Sequence, residues 1–191
     1  MELPQRRPVV GVMGSGREPH VERSRRVGEW IARAGYHLLT GGGTGVMAAV
    51  TEAFVGVEER RGLAIGILPA AGGDSAGAAR PGYPNPWVEI AVRTHLPDVG
   101  AHGAGPASRN HLNVLTSDVV IVLPGSAGTA SEARLAVRYG RPCIAWLADR
   151  GDVPGLPDAV PVESGFPAVE AFVRAACRSA GGDQGSGTGM R

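Results

Sequence analysis

Short, continuous apolar runs alternate along this chain with longer stretches of helical periodicity. Val9-Val10-Gly11-Val12-Met13 has no charged position and predicts a buried strand that enters the turn Gly14-Ser15-Gly16. Val27, Trp30, Ile31 and Ala34 then recur at the 3.6-residue period, predicting a helix stopped by Gly35. Tyr36–Thr40 predicts a second strand, which enters Gly41-Gly42-Gly43-Thr44-Gly45. A helix follows with Val46, Val50, Ala53, Phe54 and Val57 on one face. Leu63–Leu68 predicts a third strand ended by Pro69, and Trp87–Val92 a fourth. A short helix is expected through Arg109, His111 and Val114. Asp118–Leu123 reads as the central strand and opens into Pro124-Gly125-Ser126-Ala127-Gly128-Thr129 and a helix ending at Gly140. Pro142–Leu147 predicts a sixth strand. The last helix has Pro167 near its start and Val169, Phe172, Val173 and Ala176 on one face.

Strands that are apolar throughout and alternate with helices predict a mostly parallel sheet covered on both faces, a single Rossmann-like α/β domain over residues 1–179. Residues 70–86 and 94–106 are expected to be loops lining a pocket, and the Gly/Ser-rich residues 180–191 a disordered tail.

Ligands of such sheets bind outside the carboxyl ends of the strands. Three glycine clusters fall there, each between a strand and a helix: Gly14-Ser15-Gly16, Gly42-Gly43-Thr44-Gly45, and Gly125-Ser126 with Gly128-Thr129. Glycine admits close approach of a ligand, and the helix behind each loop offers free N–H groups to an anion. A small phosphate-bearing ligand is the expected partner. Gly43-x-Gly45-x-x-Ala48 fits a dinucleotide fingerprint only weakly, because the next strand ends Ile67-Leu68-Pro69 with no carboxylate for a ribose. Arg109 is the natural cation of the site, since guanidinium binds phosphate bidentately. Glu132 has two readings. In Thr129-Ala130-Ser131-Glu132 it completes a capping box; alternatively its carboxylate assists chemistry beside a bound sugar.

Composition removes several classes. All 19 residues counted as Lys+Arg are arginine, so neither an internal pyridoxal Schiff base nor a Walker A lysine is possible. The formal net charge is +1 with signs interspersed, which predicts no nucleic-acid partner. The five histidines and two cysteines, Cys143 and Cys177, have no metal-ligand spacing, so no metal is expected, and both cysteines read as buried thiols. No apolar run approaches a membrane span, and the first apolar stretch is broken at Gly14-Ser15-Gly16. The expectation is a cytoplasmic protein without a signal peptide or a membrane partner.

Gly41-Gly42-Gly43-Thr44-Gly45-Val46-Met47, Gly66-Ile67-Leu68-Pro69 and Arg109 before Pro124-Gly125-Ser126-Ala127-Gly128-Thr129-Ala130-Ser131-Glu132 together resemble the LOG-like Rossmann superfamily over about residues 8–178. Its members are often labelled lysine decarboxylases, a pyridoxal chemistry this lysine-free chain cannot perform. One branch comprises nucleoside 5′-monophosphate phosphoribohydrolases with a PGGxGTxxE motif. Here Ser126 replaces the second glycine of that motif, and the branch's catalytic arginine and glutamate would fall on Arg109 and Glu132. Asn110 stands where that branch usually has lysine. Ser108-Arg109-Asn110, Asn85-Pro86-Trp87 and Ile90–Thr94 are more like the molybdenum cofactor carrier branch, which binds a phosphorylated pterin. The resemblance implies a bound molybdenum cofactor or nucleoside monophosphate, with Asn110 among the binding residues, no further cofactor, and a homodimer or higher homo-oligomer.

Overall fold

The computed structural model describes residues 6–71, 78 and 80–182. Seven strands form one sheet: β1 (Val9–Met13), β2 (His37–Thr40), β3 (Ala64–Leu68), β4 (Ile90–Arg93), β5 (Val119–Val122), β6 (Cys143–Trp146) and β7 (Val162–Glu163). Their order is β4-β3-β2-β1-β5-β6-β7, and every pairing is parallel. Among the described residues four α-helices connect them, α1 (Val21–Arg33), α2 (Val46–Val55), α3 (Asn110–Thr116) and α4 (Ala127–Arg138), and α5 (Phe166–Gly182) follows β7.

The two-residue alternation of a strand explains the layering. Val10, Val12, Val119 and Ile121 point into a core with Val27 and Ile31 of α1, Val50 and Phe54 of α2, and Val169 and Val173 of α5. Val9, Met13, Val120 and Val122 point the other way, onto Val114 of α3 and Ala133, Leu135 and Ala136 of α4. The central strands are buried on both faces, so their sequences are apolar at every position.

Two expectations are corrected at the sheet edges. The predicted fourth strand starts later, at Ile90, and all four of its residues are exposed: it is an edge, and its apolar composition does not mean burial. A seventh strand, β7, escapes the sequence pattern because it is only two residues long. The last helix continues to Gly182, beyond the expected start of the tail at 180; residues 183–191 lie outside the described residues, as do 72–77 and 79 of the first expected loop. Among the described residues no helix is long and apolar enough to cross a membrane.

The chain order reverses at β1. It runs outward through β2, β3 and β4, then returns to place β5 on the other side of β1. The carboxyl ends of β1 and β5 therefore border a crevice, the position at which doubly wound sheets take ligands.

Candidate functional site

A cleft of about 620 Å³ opens at that crossover. Three loops meet around it. Ser15 N–H donates to the carbonyl of Pro124 at 2.9 Å, and the carbonyl of Ser15 accepts from Val46 N–H at 2.8 Å. Thr44 Oγ1 donates to the carbonyl of Gly16 at 2.6 Å. The loops after β1, β2 and β5 are thus tied by backbone groups and one threonine hydroxyl. At Gly45 the backbone has φ 63°, and a side chain there would strike the Ser15 carbonyl, so the clasp requires glycine.

Gly14, Ser15, Gly16, Arg109, Asn110, Ser126, Gly128, Thr129 and Glu132 all reach the cleft wall. Gly42, Gly43, Thr44, Gly45 and Gly125 do not. The second loop instead braces its surroundings: Asn85 N–H donates to the Gly42 carbonyl at 2.7 Å, and Asn85 Nδ2 to the Gly43 carbonyl at 2.9 Å. Tyr83 and the 3₁₀ turn Gly100–His102, whose Gly100 faces α4, come from the two loops expected to line the pocket, though no single residue of them was expected there; Arg17 was missed. Arg17 follows Gly16 directly and could have been flagged by position; Tyr83 and Gly100 come from loops with no periodic signal.

The capping-box expectation for Thr129 and Glu132 does not describe the helix. α4 begins earlier, with Ser126 as its N-cap, and no side chain caps it. Glu132 therefore sits in the second turn. Its Oε1 accepts from Asn113 Nδ2 at 2.9 Å and faces Arg109 Nη1 at 3.5 Å. Its Oε2 has no partner among the described residues. Arg109, Asn113 and Glu132 are all buried. Burial pushes the Glu132 carboxyl above its ordinary range, opposed by the Arg109 charge and by the Asn113 hydrogen bond. Arg109 Nε and Asn113 Oδ1 are buried with no partner among the described residues.

The first turn of α4 leaves its N–H groups without a side-chain partner, beside Ser126 and Gly128 on the cleft wall. With the buried guanidinium of Arg109, this is an arrangement suited to an anionic group. His111 steadies the far side. Its Nε2 donates to the Gly105 carbonyl at 2.9 Å, which leaves Nδ1 to accept from the Tyr139 hydroxyl at 2.6 Å. Among the described residues no group of three His, Cys, Asp or Glu is placed to hold a metal ion.

The model of the SLOG cluster4 family matches residues 7–156. The chain belongs to that family. This agrees with the LOG-like resemblance of its motifs. A protein of Archaeoglobus fulgidus described as uncharacterized is 32% identical over 134 residues, 69% of this chain and 75% of its own length. The molybdenum cofactor binding protein of Rippkaea orientalis is similar in structure, with a TM-score of 0.67 and 29% identity over 90% of this chain and 98% of that one. The Moco carrier protein of Chlamydomonas reinhardtii has a TM-score of 0.69 at 28% identity, over 91% of this chain and 99% of that one. DNA processing protein A of Helicobacter pylori, 17% identical with a TM-score of 0.63 over 88% of this chain and 80% of that one, shares the fold.

Proposed function

We propose that this SLOG cluster4 protein binds the molybdenum cofactor, a phosphorylated pterin, in the cleft at the β1–β5 crossover and acts as its carrier. The observation that carries the reading is the match, over nine-tenths of the chain, to two proteins named for binding or carrying that cofactor. The cleft's chemistry supports it. The anionic phosphate would lie at the first turn of α4, against Ser126, Gly128 and Thr129, with Arg109 supplying charge from below. Asn110 offers an amide that can both donate to and accept from a heterocycle.

The test is binding of molybdenum cofactor released from a donor enzyme, read as pterin fluorescence co-eluting with the protein. Gly128→Val supplies the site-specific arm. The three atoms nearest a Cβ there are Gly100 backbone atoms, the closest at an ordinary 3.5 Å, so a Cβ itself fits, and cooperative unfolding of the variant is checked beside its binding. We expect co-elution with the native chain and its loss with the variant. No co-elution with a cooperatively folded native chain would refute the carrier reading.

One observation favours a second reading, an enzyme that hydrolyses nucleoside 5′-monophosphates. Glu132 presents Oε2 without a partner among the described residues and has a carboxyl that burial holds protonated to higher pH than usual. Such a group can assist cleavage of the C1′–N bond, in which water adds its oxygen to C1′ and the departing base takes a proton. Incubation with AMP and other nucleoside monophosphates discriminates: release of free base, abolished by Glu132→Gln in a folded protein, would replace the carrier reading with the enzyme.

A further inference from the structure

We propose that Tyr83, fixed in place by Asn85, is the platform on which the planar nitrogen heterocycle of the ligand stacks. The proposal rests on the cleft being the ligand site and deepens that reading, because it names the residue that takes the face of the ring.

The cleft wall changes character along its length. At the α4 end it is polar, with Ser126, Thr129 and the buried Arg109. At the α2 end it is formed by Met47 and Tyr83. The loop after β1 lies between the two ends. A Cβ on Gly125 would reach Ser15 N at 3.0 Å, and one on Gly16 would stand 3.7 Å from Met47 Cε. β2, β1 and β5 are neighbours in the sheet. Adjacent strands are about 4.8 Å apart, so the loops after β2 and β5 are separated by roughly 10 Å. A ligand whose phosphate sits at the first turn of α4 can therefore lay its ring along the wall towards Met47 and Tyr83. Among the described residues Tyr83 is the one aromatic side chain on that wall.

The fold makes little use of this ring. Tyr83 belongs to neither hydrophobic core. Trp30, Tyr36, Trp146, Phe166 and Tyr139 each pack against another ring, whereas Tyr83 has no aromatic or guanidinium partner among the described residues. Its position is nevertheless set from two sides. Asn85 is 4% exposed and fully engaged: its N–H donates to the Gly42 carbonyl at 2.7 Å, its Nδ2 to the Gly43 carbonyl at 2.9 Å, and its Oδ1 accepts from Trp87 N–H at 3.1 Å. The segment that carries Tyr83 is thereby stapled to the second glycine loop. Gly43 leaves room for the ring, since a Cβ there would come within 2.8 Å of Tyr83 Cε1, Tyr83 Cζ and Met47 Cε. A half-buried ring held in this way offers its π system to a flat ligand at little ordering cost. The Met47 thioether beside it is polarizable and adapts to the outline of the guest. Stacking of this kind accepts any planar base, so the class recognised is a fused nitrogen heterocycle, pterin or purine.

The test is calorimetric titration of the full chain with neopterin monophosphate and AMP, which carry different rings, and with ribose 5-phosphate, which carries none. Tyr83→Leu keeps an apolar side chain and removes the π face. It should weaken a ring-bearing ligand by roughly five- to a hundredfold and leave ribose 5-phosphate unchanged. Tyr83→Phe should bind as the native chain does. Gly43→Ala displaces the ring, so it should weaken the same ligand in the native chain and add little to Tyr83→Leu. Thermal melting of each variant should remain cooperative, as Tyr83 lies outside both cores. Dependence on Tyr83 for AMP, with no binding of neopterin monophosphate, would support the platform and count against the carrier reading. Neopterin monophosphate bound equally by the native chain and Tyr83→Leu would overturn the platform and leave the carrier reading standing. An equal loss of ribose 5-phosphate with Tyr83→Leu, or a native chain that binds neither ring, would also overturn it.

Discussion

The guanidinium of Arg109 occupies the space that a Cβ on Gly41 would need. One is the residue at the carboxyl end of β2 and the other the N-cap of α3, so the absence of a side chain on one element sets the position of a charge on another. Gly41→Ala should therefore act on the site before it acts on the fold. Overpacking of this kind costs about 1–3 kcal/mol, and here the guanidinium is what must give way. Ligand affinity is expected to fall by more than the loss in melting stability accounts for, as measured by binding titration beside denaturant unfolding.

Arg109→Met tests the buried pair from the other side. Removing one partner leaves the Glu132 carboxylate buried beside Asn113 alone, and such losses cost about 3–5 kcal/mol. Glu132→Gln keeps the shape and the Asn113 contact, and in combination with Arg109→Met it should recover part of that loss. A double-mutant cycle by chemical denaturation checks this. Strict additivity would mean that the two groups do not interact, despite their 3.5 Å separation.

Glu132 also makes stability depend on pH. Its carboxyl is raised in the folded protein, so the folded state binds its proton more tightly than the unfolded chain does. The contribution is fully present below the unfolded value and is lost as pH rises through the folded value. Glu132→Gln should flatten that part of the pH–stability curve without altering the acid limb set by other carboxylates. Unfolding free energies across the mildly acidic range, native against variant, measure it.

These residues also mark how far the sequence alone could be read. β1, β3, β5 and β6 were legible because the parallel interior makes their positions apolar, and β2 by Leu38-Leu39 between His37 and Thr40. β4 carries a similar composition for a different reason, and no pattern separates a buried strand from an apolar edge. The start of α4 was misplaced because Gly128 looks like part of a loop, while the helix already begins at Ala127. That shift removed the capping role from Thr129 and turned Glu132 inward to Arg109. Arg109 was found by its place before β5. Asn113 was not, because one amide on a short helix gives no signal until the carboxylate it holds is seen across the helix pair.

The two cysteines give a chemical check on the cores. Burial pushes the Cys143 thiol up to about 12 and the Cys177 thiol up to about 11. Neither should react with a thiol-disulfide reagent at mildly alkaline pH in the native state, and both should react on unfolding. Counting the thiols released with and without denaturant is sufficient. Fast reaction of either one in the native protein would contradict the packing of β6 or α5.

The clasp at Ser15 separates two tasks. Its peptide N–H and C=O join the three loops, while its hydroxyl only accepts from the N–H groups of Arg17 and Glu18 in the next turn. Apart from the Thr44 hydroxyl and the bare Cα of Gly45, the rim is thus fastened by peptide groups, and most of the side chains around it are free of that duty. Side chains on the cleft wall that take no part in the clasp can be exchanged without dismantling the mouth of the cleft. One architecture can in this way acquire new cargo or new chemistry by altering what projects from the loops and leaving what fastens them.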